Sequence, residues 1–147
     1  MSSLTVCEVR RDAVSLRVAT VLFRHAVAWG IWVVLSLVAL AFHPTAGIIL
    51  LAASFPFAFI AAALSAAAAA VGRIGATAWL ACVAASWLLT APLTNRYEDA
   101  LDRFDPTVAA PATAEFYWQY WPWALPAALI HAAVGVYFSR RASSTAA

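Results

Sequence analysis

The chain has 147 residues, of which 65% are hydrophobic and 11% are charged. Because about a quarter of the residues in soluble domains are charged, this composition excludes an ordinary soluble domain and indicates an integral membrane protein. All nine of its Lys and Arg residues are arginine, and the net charge of +2 is too small and too dispersed to favour a nucleic-acid partner.

Residues 1–24 are predicted to form an arginine-rich cytoplasmic segment ahead of the first membrane span. Arg10, Arg17 and Arg24 are seven residues apart, so a helix would place them in one narrow stripe. Such a stripe suits lipid phosphates at the membrane surface. The simpler interpretation is a signal that sets the orientation of the chain.

The first two membrane spans are predicted at residues 26–42 and 47–71, close to or above the roughly 20 helical residues that cross a bilayer. His43 and Pro44 separate them, because proline stops a helix. We interpret the first span as a retained anchor, since the charged region before it is too long for an ordinary signal peptide. Pro56 leaves one helical carbonyl without its donor, which predicts a kink and makes this residue a hinge candidate.

The third span is predicted at residues 74–93, after a tight turn at Arg73. Small residues recur along the second, third and fourth spans, and in lipid such stripes let helix backbones approach closely. The helix-packing positions predicted from this pattern are Ala62, Ala66, Ala70, Gly75, Ala128 and Ala132.

Residues 94–116 are predicted to form an outer loop that contains a short amphipathic helix. Asn95 stands three residues before Glu98, which is the spacing of a helix capping box. Asp105 and Pro106 would end that helix, because the residue before a proline disfavours helical geometry.

The fourth span is predicted at residues 118–138, followed by a cytoplasmic tail at residues 139–147. Its start is rich in aromatic residues, whose rings with a polar edge settle at headgroup depth. We expect an interfacial belt there, with binding of a cation, quinone or lipid by these rings as the alternative. The belt residues are Trp118, Tyr120, Trp121 and Trp123.

The distribution of arginines predicts the orientation of the chain. If both termini are cytoplasmic, seven of the nine arginines lie on that side, and only Arg96 and Arg103 lie outside, in a loop with five acidic residues. The sequence therefore predicts an all-α integral membrane protein of the cell (inner) membrane. Its expected fold is a four-transmembrane-helix bundle with a short extracytoplasmic amphipathic helix.

The four predicted spans contain no Asp, Glu, Lys or Arg, and His131 is the charge-bearing group deep in a span. We expect its ring to hydrogen-bond a carbonyl across a helix interface, with proton or solute handling and haem or metal ligation as alternatives. His25 and His43 are expected at the inner and outer edges, too far apart to share a metal. His25 could approach His131 only if their helices were offset by nearly two turns, so we do not expect the two to share a haem. A haem that bridges the His131 side chains of two subunits in a symmetric dimer is a further alternative.

Nucleophile constellations, glycine-rich phosphate loops and metal-spaced Cys/His motifs are absent from the sequence. We therefore predict no catalytic residue, no metal and no cofactor, and keep His131 as the candidate if a cofactor does bind.

The third span ends in the junction Pro92-Leu93-Thr94-Asn95-Arg96, with Pro92 expected to stop the helix. This junction resembles that of small bacterial four-span proteins of the anthrone-oxygenase type. The resemblance covers the junction alone, and the glycine and aromatic features of the first two spans in such proteins are missing. No residue role follows from it.

Two classes of function fit these features. We favour a non-catalytic accessory or assembly subunit of a larger membrane complex, because the small-residue faces, the surface helix and the aromatic belt supply docking surfaces. The alternative is a small oligomeric transporter or channel that uses His131 and the Pro56 hinge. The expected partners are the lipid bilayer and either other membrane-protein subunits or further copies of this chain.

Overall fold

All regular structure in the described part of the chain is helical. The computed structural model describes residues 3–72, 75–104 and 121–144. Its helices are α1, Ser3–Phe42; α2, Pro44–Val71; α3, Ala76–Phe104; and α4, Leu125–Ser144, which follows a 3₁₀ turn at Trp121–Ala124. The turn predicted at Arg73, most of the predicted outer loop, and the belt residues Trp118 and Tyr120 lie outside the described residues.

Three stretches of these helices are long and apolar enough to cross a membrane. They are Val9–Phe42, Pro44–Val71 and Trp121–Ala142. The apolar part of α3, Ala76–Thr90, is shorter. The chain is therefore a helical protein with three candidate membrane spans among the residues that the structure describes.

Helix α1 is one continuous helix of 40 residues, about 60 Å long. It includes both the arginine-rich segment and the first predicted span. No proline or glycine interrupts the sequence between Ser3 and Gly30, so the backbone meets no helix breaker there. The charged residues before residue 25 make this part of α1 more polar than the rest, but they do not interrupt the helix.

The connection between α1 and α2 is a single residue, His43. Its backbone is extended, with φ −148° and ψ 90°, and its ring Nδ1 accepts a hydrogen bond from the Ala46 N–H at 3.3 Å. A Cβ at Gly47 would overlap the backbone of Leu40, so the two helices approach closely just beyond this connection. Together these features make α1 and α2 a tight helical hairpin.

A buried hydrogen bond joins α1 and α2 further along the hairpin. The indole Nε1 of Trp32 donates to the Ser54 Oγ at 2.6 Å, and that hydroxyl donates to the Leu50 carbonyl at 2.6 Å. Pro56 lies two residues beyond Ser54, and α2 continues through it as far as Val71.

The buried side of α2 lies one residue away from the stripe predicted to pack. Ala61, Ser65 and Ala69 are buried, whereas Ala62 and Ala66 are half-buried and Ala70 is exposed. Runs of alanine satisfy a four-residue spacing in every register, so the sequence cannot select one of them.

Helix α3 continues past Pro92, where the sequence had predicted the end of a span. It ends at Phe104, and Asn95 lies inside it rather than at the start of a new helix. Proline removes one backbone hydrogen bond from a helix, and Pro92 is exposed, so its ring stays clear of the packed interior.

The four helices pack in a ring. Helix α1 contacts α2 and α4, and α3 contacts the same two helices. The largest fully buried side chains are Trp79 and Phe57, followed by His131. The core thus contains an ionisable ring surrounded by aromatic side chains.

Candidate functional site

Two histidines meet in the core of the ring of helices. His25 of α1 is 5% exposed and His131 of α4 is fully buried, and their ring centroids are 5.4 Å apart. Trp79 of α3 stacks on His25 at 4.4 Å, and Phe57 of α2 meets His131 edge-on at 5.2 Å. Each helix therefore contributes one side chain to this cluster.

The approach of His25 to His131 corrects the expectation that they stay apart. The Arg24 Nη1 donates to the Ser139 Oγ at 3.5 Å, and the guanidinium lies 5.9 Å from the centroid of the Phe138 ring. A long basic side chain extends along its helix and carries its charge away from its own Cα. His25 therefore lies deeper in the helix bundle than the charge of its neighbour Arg24 indicates.

A hydrogen bond within α4 orients the ring of His131. Its Nδ1 lies 2.8 Å from the Ala127 carbonyl, one turn earlier. A carbonyl only accepts, so Nδ1 carries the hydrogen, and Nε2 of the neutral ring presents a lone pair. Nε2 has no hydrogen-bond partner among the described residues. The expected bond from the ring across a helix interface is replaced by one inside its own helix.

The backbone carbonyl of His131, in contrast, is bonded across a helix interface. The Trp79 Nε1 donates to it at 2.8 Å. A Cβ at Gly135 would overlap the Trp79 indole, so this ring fits against α4 because Gly135 has no side chain. The signal for this contact in the sequence is a glycine one turn after a histidine, which marks a place where another helix can approach.

Both ring nitrogens of His25, Nδ1 and Nε2, also have no hydrogen-bond partner among the described residues. Stacking on Trp79 fixes the plane of the ring and leaves both nitrogens unpaired. The cluster therefore contains three unpaired imidazole nitrogens in an apolar environment.

Both histidines line a cavity of about 220 Å³ between α1 and α2. Its wall is apolar and largely aromatic, with Trp29, Phe55 and Phe59 around the opening. Phe55 and Phe59 are 54% and 64% exposed, so the opening faces the outer surface of the helices. The remaining lining residues are Leu22, Ala26, Ala58 and Ala62.

The polar groups of the cavity wall are the imidazoles of His25 and His131. The two histidines could supply two imidazole ligands, but no group of three or more His, Cys, Asp or Glu side chains occurs in the described part of the chain. Protein sites for zinc and related ions use three or four such ligands. An apolar, partly aromatic wall beside a buried histidine is typical of sites for small organic molecules.

The hinge candidate Pro56 lies beside this cavity. It is half-buried, and its neighbours Phe55 and Phe57 contact the cavity and His131 respectively. Any change of helix geometry at Pro56 would move both rings.

The other predicted positions that the structure describes differ in burial, and Ala62 alone among them lines the histidine cavity. Among the packing positions, Gly75 is exposed, Ala132 is half-buried and Ala128 is buried. Of the belt residues, Trp121 is half-buried and lies 4.3 Å from the Trp87 ring, while Trp123 is 46% exposed.

Comparison of this chain with protein-family models, curated proteins and solved structures found no match. Its function is therefore argued from the chemistry of the histidine cavity.

Proposed function

We propose that this chain is a non-catalytic, multi-pass protein of the cell (inner) membrane that binds a small lipophilic molecule in the cavity of His25 and His131. Binding at His131 beside the Pro56 hinge fits a small oligomeric transporter or channel. The observation that carries it is the His131 Nε2, which is buried, oriented by the bond at Nδ1 and unpaired among the described residues.

The ligand that fits this cavity has a hydrogen-bond donor on a flat apolar ring. A buried acceptor without a partner costs free energy, and a donor group on a ligand would remove that cost. Trp29 and Phe55, whose rings are 6.1 Å apart in an edge-on arrangement, offer faces and edges for an aromatic ligand. Phenols and hydroquinones are the simplest members of this class.

The proposed route into the cavity is lateral, from the lipid. The opening between α1 and α2 is lined by exposed aromatic side chains, which are compatible with acyl chains. Pro56 would act as the hinge that moves Phe55 and Phe57 as a ligand enters or leaves.

A four-span arrangement with both termini in the cytoplasm is part of the proposal. The packing of α3 against α2 and α4 supports a fourth span, although its apolar part is short. The contact of Arg24 with Ser139 brings the arginines of α1 and of the α4 end to one side of the bundle. This is the arrangement that the positive-inside rule favours for the cytoplasmic side.

A second candidate is the accessory or assembly subunit. The observation that favours it is a row of exposed small residues on α2, namely Ala63, Ala67 and Ala70, which other helices of the described chain leave uncovered. Small side chains allow another membrane helix to approach closely. Copurification of larger subunits from native membranes is the test of this candidate.

The ligand proposal is tested with a pair of fluorinated probes. The purified full chain in lipid nanodiscs is titrated with 4-fluorophenol and, separately, with 4-fluoroanisole, and ¹⁹F NMR line broadening is corrected with empty nanodiscs. The two probes have similar apolar surfaces, but only the phenol has a donor. We expect the phenol to bind about three- to tenfold more tightly, as one hydrogen bond to a buried acceptor allows.

The His131→Ala variant should lose this preference and retain weak binding of both probes. The matched control is His43→Ala, which removes an exposed histidine at the connection between α1 and α2 and should leave the preference unchanged. Equal binding of phenol and anisole by the wild-type chain, or an unchanged preference in His131→Ala, would contradict the proposal.

A further inference from the structure

A second, more polar cleft lies where the arginine stripe of α1 meets the ends of α2 and α4. Its volume is about 340 Å³. Arg17, Thr20 and Arg24 of α1 line one side, and Ala69 of α2 and Ala142 of α4 line the other. The cleft shares no lining residue with the histidine cavity.

The two arginines of this cleft retain most of their hydrogen-bonding capacity. The Arg17 Nε donates to the Ala13 carbonyl of its own helix, and the Arg24 Nη1 donates to the Ser139 Oγ. The Arg24 Nε is buried and has no partner among the described residues. A guanidinium carries five N–H donors, so both side chains have donors left for an anion.

Carboxylates do not occupy these donors in the part of the chain that the structure describes. Asp12 is the nearest acidic residue along α1, and it is exposed five residues before Arg17. Arg17 and Arg24 are separated by seven residues, a rise of about 10.5 Å along one helix face. Two guanidinium groups on one wall of a cleft suit an anion with several acceptor oxygens.

An apolar surface adjoins the cleft. Phe23 of α1 is 60% exposed, and its ring contacts the ring of Phe138, over which the Arg24 guanidinium lies. A phosphate bound by the arginines would therefore lie next to a surface that can contact acyl chains.

We propose that the Arg17–Arg24 cleft binds the phosphate of an anionic phospholipid, with the acyl chains against Phe23. Inorganic phosphate offers the same acceptor oxygens but lacks the chains. Guanidinium forks bind phosphate in bidentate fashion, and the exposed apolar surface supplies the contact that distinguishes the lipid from the free anion. The site is independent of any ligand at His25 and His131.

Native mass spectrometry of the full chain released from detergent micelles tests this site. The protein is titrated with phosphatidylglycerol, phosphatidylcholine or inorganic phosphate. We expect about tenfold stronger retention of phosphatidylglycerol than of phosphatidylcholine, and no retention of phosphate, since each basic residue near the headgroup contributes to binding of the anionic lipid.

The Arg17→Gln/Arg24→Gln variant should lose the preference for phosphatidylglycerol. The matched control is Arg10→Gln/Arg11→Gln, which removes the same charge from exposed positions of α1 outside the cleft and should keep the preference. Circular dichroism and elution volume check that both variants fold. Arg17→Lys/Arg24→Lys keeps the charge without the fork and should retain part of the preference.

Three results would overturn the proposal. The first is equal retention of the two lipids by the wild-type chain. The second is an equal loss of preference in the cleft variant and its control, which would indicate general attraction to the arginines. The third is retention of inorganic phosphate as strongly as phosphatidylglycerol, which would assign the cleft to the free anion.

Discussion

His131 takes its chemical character from contacts on three helices. The Ala127 carbonyl fixes which ring nitrogen carries the hydrogen. The Trp79 indole donates a hydrogen bond to the backbone carbonyl of His131, and Phe57 packs against the imidazole ring. The position of this histidine in the middle of a span could be predicted from the sequence. The direction of its lone pair could not, because it depends on which carbonyl the ring meets after folding.

His25 was the harder residue to place from the sequence. It follows Arg24 directly, and the arginine suggested the edge of the membrane. The structure shows that the charge of Arg24 reaches Ser139 while His25 is buried in the core. A membrane boundary predicted from charged residues gives the depth of the charged group. For arginine, the charged group and the Cα lie at different depths.

Gly135→Ala tests the packing that holds Trp79 beside His131. The added methyl group would overlap the buried indole and displace its hydrogen bond to the His131 carbonyl. We expect a loss of about 2–4 kcal/mol in the free energy of unfolding, from overpacking and the lost hydrogen bond. The measurement is reversible unfolding in mixed detergent micelles.

Gly30→Ala is the control for this substitution. Gly30 is an exposed helical glycine, and a Cβ there would meet no atom within 4 Å. The variant should be as stable as the wild type or up to about 1 kcal/mol more stable, because alanine favours the helix. If Gly135→Ala proved as stable as Gly30→Ala, the described fit of Trp79 against α4 would be wrong.

At the scale of whole elements, α1 and α2 act as one packed unit. A single residue, His43, connects them, and the Trp32–Ser54 hydrogen bond joins them one residue before Phe55 enters the cavity wall. This bond positions the part of α2 that contains Pro56. The hairpin is therefore the support on which the histidine cavity is built.

The helix boundaries show where sequence signals are incomplete. Pro92 suggested the end of α3, yet the helix continues to Phe104, since a proline on an exposed helix face removes one hydrogen bond without forcing a stop. Pro44, in contrast, does mark a boundary between two helices. It stands at the first position of α2, where a missing backbone N–H costs nothing. The local sequence does not distinguish these two cases.

A double-mutant cycle on Trp32 and Ser54 tests the hairpin contact. Trp32→Phe removes the donor, and Ser54→Ala removes the acceptor and leaves a buried indole N–H unpaired. We expect losses of about 0.5–1.5 kcal/mol and about 1–3 kcal/mol respectively, measured by unfolding in mixed micelles.

The double variant should lose less stability than the sum of the two single losses, because each change removes the same hydrogen bond. A coupling free energy of about 0.5 kcal/mol or more is expected for residues in direct contact. Strict additivity would show that the two side chains do not interact in the folded protein.

At the scale of the whole molecule, composition predicted helices suited to a membrane, and the structure confirms them in three stretches. The relative shift of α1 and α4 along their axes was not predictable, because it depends on how Trp79, Gly135 and Arg24 fit between helices far apart in sequence. That shift brings His25 to His131. The candidate site is therefore a product of packing between helices rather than of any local motif.

Solid-state NMR of the wild-type chain in lipid bilayers tests most directly whether His25 and His131 share one cavity. The chain has three histidines, so labelling the imidazole rings with ¹³C and ¹⁵N gives three ring signals, and His43→Ala assigns one of them. We predict ring-to-ring cross-peaks between His25 and His131, whose centroids are 5.4 Å apart, and none to the ring of His43. Three imidazole signals without any cross-peak between rings would contradict the account.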